Sequence, residues 1–452
     1  MERKLFGTDG IRGKANVYPM TCEVVTALGR AITHYFQTHN NHKRPLIIVG
    51  KDTRLSCYML EQAFSAGVCS QGGEVILTGP LPTPGVAFVT KSMRATAGVM
   101  ISASHNRFDD NGIKIFDNNG FKLPDQVELE IEKLVLDQSV MQDKVGPDLG
   151  NAKRLREVFG RYLVHAKSVI PESLDLSGMR VVIDCANGAA YKIAPIIFNE
   201  LGAEVYTIGN KPNGTNINLN CGSTSTQEAC EKVLEHRADL GICLDGDADR
   251  VIFIDENGKT LDGDKVIGLF AKLMLENGTL KKGDTVVGTI MTNLGLENYL
   301  KQLGLNLTRT RVGDRYIVEE MKKIGAILGG EPSGHIILLN HSTTGDGSLA
   351  ALKMIEGMKH FGKSLSELEK EVILFPQVIK NAVVSKKVPL ETVKPIQEKL
   401  ESVTKLLGTK GRVLLRYSGT ESLARVMVEG ENEEQVVSLC DELSDVVSSE
   451  LK

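Results

Sequence analysis

The chain is 452 residues long, which is enough for several domains. Its 53 lysines and arginines nearly balance 57 aspartates and glutamates, so the formal net charge is only -4. Nucleic acids and anionic membranes attract proteins through a strong basic field, and this composition excludes such a field over the whole chain. The N-terminus lacks the apolar segment of a signal peptide, and no apolar stretch is long enough to cross a bilayer. We therefore expect a cytoplasmic protein that binds neither nucleic acid nor membrane.

Three segments predict a β-strand followed by a helix. They begin at Leu46 (LIIVGKDTR), Val181 (VVIDCANGAA) and Val286 (VVGTIMTNLG), and in each an apolar strand breaks into a turn of small residues. Strands that alternate with helices favour mainly parallel sheets. The predicted fold class is α/β, with three successive α/β domains that contain mixed or parallel sheets.

The last part of the chain has a different pattern. After Pro376 the sequence predicts a strand at residues 378–384, a helix near residues 393–407, two further strands and a final helix. In the final helix the spacing puts five side chains on one face, namely Val436, Leu439, Cys440, Leu443 and Val447. We interpret this tail as a separate α+β domain. The predicted domains are residues 1–152, 153–256, 257–374 and 375–452.

Residues 96–116, TAGVMISASHNRFDDNGIKIF, combine an apolar strand with a polar loop. The apolar run ends in Ser102, Ser104 and His105, and a glycine turn that carries Lys114 follows. Open α/β sheets place their reactive groups at the carboxyl ends of strands, so Ser104 is the candidate nucleophile. The alternative is a polar turn whose hydroxyls only cap backbone groups.

Residues 245–250, DGDADR, bring three carboxylates close together between two apolar strands. In an extended segment, Asp245, Asp247 and Asp249 project to one face, where their repulsion calls for a cation. Ligands that are all oxygens suit Mg²⁺, and a phosphate on Ser104 can complete the site. A calcium EF-hand is excluded because Arg250 stands where that loop needs glycine. A solvated acidic turn remains the alternative.

Residues 329–338, GGEPSGHIIL, hold Glu331, Ser333 and His335 on one short loop. A hydrogen-bond acceptor, a hydroxyl and an imidazole suit the hydroxyl groups of a sugar. The alternative is an ordinary turn with a structural histidine, because glycine, proline and serine are common turn residues.

Residues 414–428, LLRYSGTESLARVMV, predict two strands joined by a turn. The polar groups near this turn are Arg416, Ser418, Gly419, Thr420 and Arg425. Guanidinium forks, hydroxyls and the backbone N–H groups around a glycine together form an anion site. The alternative is a β-hairpin whose arginines are incidental.

The chain resembles the α-D-phosphohexomutases nearly from end to end. The motifs are FGTDGIRG at residues 6–13, SASHN at 102–106, NGIKIF at 111–116, NCGST at 220–224, DGDADR at 245–250, GEPSGH at 330–335, TTGDG at 343–347 and RYSGTE at 416–421. FGTDGIRG, NCGST and TTGDG favour the glucosamine branch of the family. Two positions depart from the family pattern, with Arg107 in place of proline and Pro332 in place of the glutamine of this branch.

The resemblance implies four domains around a central cleft, the last a mobile, TBP-like α+β domain. It implies an enzyme that interconverts the 6-phosphate and the 1-phosphate of a hexosamine, as a monomer or homodimer. The reaction would need phosphorylated Ser104 and one Mg²⁺ per subunit, held by that residue with Asp245, Asp247 and Asp249. Glucose- or glucosamine-1,6-bisphosphate would be the activator.

The resemblance also implies roles for the other polar residues. Arg12 and Arg250 would neutralise the phosphoryl oxygens, since charge on those oxygens is the main burden of phosphoryl transfer. Lys114 and His335 are both candidates for proton transfer, and a lysine base needs a lowered pKa. The sugar hydroxyls would bind to Glu331 and Ser333, and the phosphate that is not reacting would bind to Arg416, Ser418, Gly419, Thr420 and Arg425.

Four other functions are alternatives to this interpretation. A phosphatase with an aspartate nucleophile would make Ser104, the sugar loop and the anion turn superfluous. A kinase with a P-loop is excluded because the chain has no G-x-x-x-x-G-K-[ST] run. A sugar-phosphate sensor that has lost catalysis would be expected to lack Ser104 or an aspartate. A phosphomannomutase or phosphoglucomutase with the same mechanism and another sugar remains open.

Overall fold

Four β-sheets follow one another along the chain in the computed structural model, which describes residues 4–39, 43–155, 157–417 and 422–452. Helices cover the first three sheets, and two helices pack beside the fourth. The predicted fold class of three α/β units and a C-terminal α+β unit is confirmed. In the part of the chain that is described, no helix is both long and apolar enough to cross a membrane.

The first unit contains a seven-stranded mixed sheet. Its elements are β1 (Phe6–Gly7), β2 (Gly10–Lys14), α1 (Cys22–His39), β3 (Leu46–Lys51), α2 (Ser56–Ser70), β4 (Glu74–Pro80), α3 (Thr83–Ser92), β5 (Ala97–Ile101), β6 (Asp110–Phe116), α4 (Asp125–Leu136) and β7 (Ala152–Arg154). The strand order is β1-β2-β6-β5-β3-β4-β7, with β5, β3, β4 and β7 parallel. Strands β3 and β5 are central and almost fully buried, which explains their continuous apolar sequences.

The second unit contains a five-stranded sheet. Its elements are α5 (Val158–Ser168), β8 (Arg180–Asp184), α6 (Ile193–Glu200), β9 (Glu204–Ile208), α7 (Gln227–His236), β10 (Leu240–Leu244), β11 (Val251–Ile254) and β12 (Thr260–Leu261). The order is β12-β11-β10-β8-β9, and β8, β9 and β10 are parallel. Strand β10 is buried along its whole length and ends at the acidic segment.

The third unit contains a four-stranded sheet in the order β14-β13-β15-β16. Its elements are α8 (Gly263–Glu276), β13 (Thr285–Thr289), α9 (Leu294–Gln302), β14 (Asn306–Thr310), α10 (Asp314–Ile324), β15 (Leu328–Gly330), β16 (Ile336–Leu338), α11 (Gly347–Phe361) and α12 (Leu365–Glu369). Strands β15 and β16 form a hairpin that presents the predicted sugar loop.

The fourth unit is a three-stranded antiparallel sheet with two helices. Its elements are β17 (Gln377–Val383), α13 (Lys394–Leu407), β18 (Gly411–Tyr417), β19 (Leu423–Gly430) and α14 (Glu433–Glu450), and the strand order is β17-β19-β18. The predicted apolar face of α14 is confirmed, because all five of its side chains are buried against the sheet. The division of the chain at residues 152, 256 and 374 remains a prediction. Strand β7 begins at the first limit and β12 lies just past the second, and both pair with the preceding sheets.

A polar contact joins the fourth unit to the third. Arg412 on β18 donates to the backbone oxygens of Ile290 (2.9 Å) and Thr292 (2.6 Å), and it also pairs with Glu429. Glu429 in turn accepts from the N–H of Leu294 at 3.0 Å. Side chains and backbone groups of the third and fourth units are therefore joined by hydrogen bonds through Arg412 and Glu429.

Glu132 on α4 anchors the N-terminal strand. Its buried carboxylate accepts from the backbone N–H groups of Lys4 (2.8 Å), Leu5 (2.8 Å) and Phe6 (3.1 Å). An acceptor shared by three backbone donors stabilises the start of β1, and this in turn fixes where the turn to β2 lies.

Replacing Glu132 with alanine should loosen this N-terminal segment. Three backbone N–H groups would lose their acceptor, and we expect local opening to become easier by about 1–3 kcal/mol. Hydrogen exchange of residues 4–14 measures this opening. The control is Glu130→Ala on the same helix, whose carboxylate lies near the exposed side chains of His39 and Gln126. Equal exchange in both variants would contradict the anchoring role.

Candidate active site

The predicted nucleophile lies in the loop that follows β5. Ser104 is buried, and its hydroxyl donates to Asp245 Oδ2 at 2.5 Å. Its backbone has a φ of 54°, in the left-handed region, and its N–H donates to Ser102 Oγ at 2.9 Å. The capping alternative thus describes Ser102, whereas the hydroxyl of Ser104 faces the acidic loop of the second unit.

The acidic loop between β10 and β11 brings its three carboxylates together. Asp245, Asp247 and Asp249 are buried, and each offers an oxygen within 4.8 Å of the others. The expectation of an extended segment is wrong, because residues 245–249 form a turn in which Ala248 has a φ of 57°. The carboxylates converge because the chain turns around them. Their burial also contradicts the alternative of a solvated acidic turn.

This cluster fits a hard cation. Asp247 Oδ1 is buried and has no hydrogen-bond partner among the described residues. Burial, together with the charges of Asp249 and Asp247, raises the pKa of Asp245 to about 8. A buried set of oxygen ligands whose negative charges oppose one another is stabilised by Mg²⁺, which binds carboxylates and phosphate oxygens.

Lys114 on β6 reaches the same cluster from the first unit. Its Nζ donates to Asp247 Oδ2 at 2.8 Å and to Asp249 Oδ2 at 2.9 Å, and it lies 3.4 Å from Asp9 Oδ2. Burial alone would lower the pKa of Lys114, but these three carboxylates raise it well above its usual value. The lowered pKa that a lysine base requires is therefore not found here, and Lys114 is a cation held between the aspartates.

His335 reaches the cluster from the third unit. Its Nδ1 lies 3.6 Å from Asp249 Oδ1, and its Nε2 lies 3.4 Å from Asp314 Oδ2. Burial opposes the charged ring, but the two carboxylates raise the pKa of His335 to about 10. The N–H of Gly345 approaches Nε2 at 3.1 Å, a contact that suits a neutral ring. The charges of the two carboxylates favour the protonated ring.

Two arginines lie near His105, the residue that follows Ser104. Arg250 Nη1 lies 3.1 Å from Nδ1 of His105, and burial with the nearby charges of Arg250 and Arg12 lowers the pKa of His105 to about 4. Arg12 pairs with Asp9 and lies on β2 rather than in the preceding turn. In the described part of the chain, Nε of Arg12 and Nε of Arg250 are buried without a hydrogen-bond partner. An anion between them would satisfy both donors.

The predicted sugar loop joins β15 to β16. Glu331 is buried and accepts from the N–H of Gly313 at 3.1 Å, whereas Ser333 is exposed. Pro332 is tied to the start of α8 through its carbonyl oxygen, which accepts from the N–H of Gly263 at 3.0 Å. The loop therefore brings together one acceptor, one accessible hydroxyl and the buried His335.

The predicted anion turn of the fourth unit is described only in part. Ser418, Gly419 and Thr420 lie outside the described residues. Arg416 on β18 and Arg425 on β19 face each other in the antiparallel register, and burial and Arg425 lower the pKa of Arg416. Like charges directly opposite each other on a sheet destabilise it, and an anion that both contact removes that repulsion.

Sequence reasoning missed several residues that support this site. Lys122 donates to both carboxylate oxygens of Asp314, at 2.8 and 2.7 Å, and also pairs with Asp9, so it joins the first unit to the third. Thr83 donates to Asp247 Oδ2 at 2.6 Å. Thr83 is 164 residues from Asp247, and Lys122 is 192 residues from Asp314. A local sequence pattern cannot predict pairs that are so far apart. Asp9 had a signal, since it stands in the FGTDGIRG motif beside Arg12.

Family sequence models match the chain in four consecutive parts. They are the models for phosphoglucomutase/phosphomannomutase alpha/beta/alpha domain I at residues 3–140, domain II at 160–258, domain III at 262–374 and the C-terminal domain at 379–446. The chain belongs to the phosphoglucomutase/phosphomannomutase family. The predicted resemblance to phosphohexomutases is thereby confirmed.

Full-length relatives in this family are similar to the chain throughout. A phosphoglucosamine mutase of Geobacter metallireducens is 51% identical over 452 residues, covering 99% of each chain. A phosphoglucosamine mutase of Nitratidesulfovibrio vulgaris is 51% identical over 453 residues, covering 100% of each. The crystal structure of a putative phosphomannomutase from Thermus thermophilus superposes with a TM-score of 0.79 at 24% identity, covering 98% of each chain. This last likeness shows that the fold is shared.

Magnesium should raise the melting temperature of the protein, since a ligand that binds only the folded state stabilises it. Replacing Asp247 with asparagine removes one negative charge from the buried cluster. We expect the variant to bind Mg²⁺ at least about tenfold more weakly, as measured by thermal shift or calorimetric titration.

The matched control is Asp255→Asn, which makes the same change in a buried turn of the same unit. Asp255 Oδ1 accepts from the N–H groups of Asn257 (2.9 Å) and Lys259 (2.8 Å), and the asparagine keeps that oxygen. If both variants titrate with Mg²⁺ like the unchanged protein, the three aspartates do not form the metal site.

Proposed function

We propose that this chain interconverts glucosamine 6-phosphate and glucosamine 1-phosphate, by way of phosphorylated Ser104 and a bound 1,6-bisphosphate. The observation that carries the proposal is the 2.5 Å contact between the hydroxyl of Ser104 and Asp245 within a buried acidic loop. The 51% identity to phosphoglucosamine mutases over the whole chain supports the choice of sugar. In chemical terms the enzyme is an intramolecular phosphotransferase.

The acidic loop and Ser104 would form one phosphoryl-transfer centre. A phosphoserine carries about -1.5 to -2 charges, which cannot lie beside three buried aspartates without compensation. Bound Mg²⁺ would supply that compensation and polarise the phosphoryl oxygens. Asp245, Asp247, Asp249 and the phosphoserine oxygens would hold it. Lys114 would remain the side-chain cation that contacts Asp247 and Asp249.

The arginines and the proton donors would act on the transferred group. The unsatisfied Nε atoms of Arg12 and Arg250 would bind the phosphoryl oxygens, where charge spreads during transfer. Proton movement at the sugar hydroxyl would fall to Lys114 or His335, both of which are charged in this arrangement. A charged group can protonate the sugar oxygen that is released when the phosphoryl group returns to Ser104. The sugar hydroxyl that attacks phosphoserine must instead lose its proton, so one of the two groups would first have to be neutral.

Two orientations of the bisphosphate explain the remaining groups. Ser104 would give its phosphoryl group to O1 of the 6-phosphate, and after the intermediate turns, its 6-phosphate would return to Ser104. Glu331 and Ser333 would hold sugar hydroxyls in both orientations. The phosphate that is not reacting would bind at the turn of the fourth unit, where the groups are Arg416, Ser418, Gly419, Thr420 and Arg425. Loss of the bisphosphate intermediate would leave Ser104 unphosphorylated. Glucose- or glucosamine-1,6-bisphosphate would then be needed to phosphorylate it again.

We also propose the cellular setting of the reaction. The product would feed the synthesis of UDP-N-acetylglucosamine, a precursor of peptidoglycan, in the cytoplasm. The enzyme would act as a monomer or homodimer on its small-molecule substrate, without nucleic acid or membrane.

A second candidate function is the same reaction on glucose or mannose phosphate. Pro332 favours it, because this residue lies in the loop that would read the sugar and has no N–H to donate to a substrate. The first candidate remains compatible with Pro332, because the hydrogen bond from the N–H of Gly263 to the Pro332 oxygen holds the loop in place without an N–H at residue 332.

The two candidates differ in kcat/KM on glucosamine 6-phosphate, glucose 6-phosphate and mannose 6-phosphate. We expect the Mg²⁺-loaded, bisphosphate-primed protein to prefer the amino sugar by at least about 100-fold, because a site built to bond an amino group leaves polar groups unpaired around a hydroxyl. Each 1-phosphate product is followed directly.

Two serine variants complete the experiment. Ser104→Ala should lose turnover of every sugar, while Ser65→Ala, which removes another buried hydroxyl of the first unit, should keep it. Similar kcat/KM values for glucose 6-phosphate or mannose 6-phosphate would support the second candidate function instead of the first. Turnover by Ser104→Ala would overturn both.

A further inference from the structure

The loop that carries Ser104 is held by two side chains from different units. The carbonyl oxygen of Ser104 accepts from Arg54 Nη2 at 3.1 Å and from Asn218 Nδ2 at 2.9 Å. The carbonyl oxygen of Asn106 accepts from the same two atoms, at 2.6 and 2.9 Å. Each donor nitrogen carries two hydrogens, so each can serve both carbonyls at once. We refer to Arg54 and Asn218 as the serine clamp.

The two members of the clamp come from separate parts of the chain. Arg54 follows β3 in the first unit, is fully buried, and pairs with Asp52. Asn218 lies in the loop between β9 and α7 of the second unit and is only partly buried. The clamp therefore joins the loop of Ser104 to the unit that supplies the acidic loop.

The backbone of Ser104 needs such support. Its φ of 54° lies in a region that serine seldom occupies, and such a conformation persists only when the surrounding structure holds it. The acidic loop also approaches this backbone closely, since a Cβ on Gly246 would lie 2.5 Å from the carbonyl oxygen of Ser104 and 2.9 Å from Asn218 Nδ2. Because residue 246 is glycine, the acidic loop can approach the carbonyl oxygen of Ser104 while Asn218 donates to that same oxygen.

We propose that Arg54 and Asn218 are positioning residues for phosphoryl transfer, and that Asn218 makes the transfer depend on docking of the second unit against the Ser104 loop. The clamp fixes the carbonyls on both sides of His105, so it fixes the direction in which the Ser104 hydroxyl leaves the backbone. Neither residue touches the reacting atoms. The inference rests on the proposed function, because it requires that Ser104 carries the transferred group.

Asn218→Asp is the most selective test. The change keeps the shape of the side chain but replaces the donor with a carboxylate oxygen, which repels the two carbonyls. Because Asn218 is partly exposed, the variant should fold. We expect single-turnover transfer from phosphorylated Ser104 to glucosamine 6-phosphate to be about 10-fold to 100-fold slower, since small misplacement of a reacting group has effects of this size. We expect KM to change by less than about threefold, because the sugar contacts are untouched.

The matched control is Asn216→Asp in the same loop. Asn216 Nδ2 also donates to a backbone carbonyl, but that carbonyl belongs to Lys211 and not to the Ser104 loop. This variant should transfer at the rate of the unchanged protein. Asn218→Gln, which restores a carboxamide donor, should recover part of the lost rate.

A second readout does not depend on activity. Hydrogen exchange of residues 102–107 should be at least about tenfold faster in Asn218→Asp than in Asn216→Asp, because the left-handed loop opens more easily without its donor. Equal transfer rates and equal exchange in these two variants would overturn the clamp while leaving the proposed function intact. Absence of transfer from Ser104 in the unchanged protein would overturn both.

Discussion

Burial of three aspartates in one turn is the constraint on which the rest of the structure depends. Asp245, Asp247 and Asp249 are removed from water, and buried charges need partners that lie close enough to neutralise them. The partners come from other units, with Lys114 from the first sheet and His335 from the hairpin of the third. Neutralisation of one loop therefore fixes the relative positions of three units.

A second layer of charges extends this arrangement. Lys122 pairs with Asp314 and Asp9, which themselves lie beside His335, Lys114 and Arg12. Removing one member weakens the compensation of the buried charges that remain, so the members of the network depend on one another. The same network places Lys114 and Arg250 beside the acidic loop and Arg12 beside Asp9, where a phosphoryl group on Ser104 would need positive groups.

Local sequence patterns predicted the parts of this site that are local. The strand before Ser104, the carboxylates at residues 245–249 and the apolar face of α14 each follow from the spacing of a few neighbouring residues. The close grouping of the three carboxylates was predicted, although the extended geometry expected for them was wrong. The left-handed turn at Ala248 depends on the packing around it, and composition gives no sign of it.

Long-range partners could not be predicted in the same way. Arg54 lies in a KDTR turn, and Asn218 lies in a loop rich in asparagine, so each has an ordinary local explanation. Only the fold shows that both donate to the carbonyl of Ser104. Glu132 is similar, since its three backbone partners are more than 120 residues away. Contacts of this kind depend on the topology of the whole chain, which local patterns do not contain.

The two departures from the family pattern have different consequences in the fold. Arg107 points outward with a side chain that is 74% exposed, and its nearest carboxylate is 4.0 Å away on Asp109, so it leaves the inner face of the site unchanged. Pro332 lies within the sugar loop itself and is held through its carbonyl oxygen. Of the two departures, Pro332 is therefore the one that can alter the choice of sugar.

The central claim is that Ser104 carries the transferred phosphoryl group beside the acidic loop. It is tested most directly by priming the protein with labelled glucose-1,6-bisphosphate, locating the label by peptide mass spectrometry, and then adding glucosamine 6-phosphate. The account predicts label on the peptide that contains Ser104, leaving for the sugar at least as fast as overall turnover. Label on an aspartate of the acidic loop, or label on Ser104 that does not leave with added substrate, would contradict it.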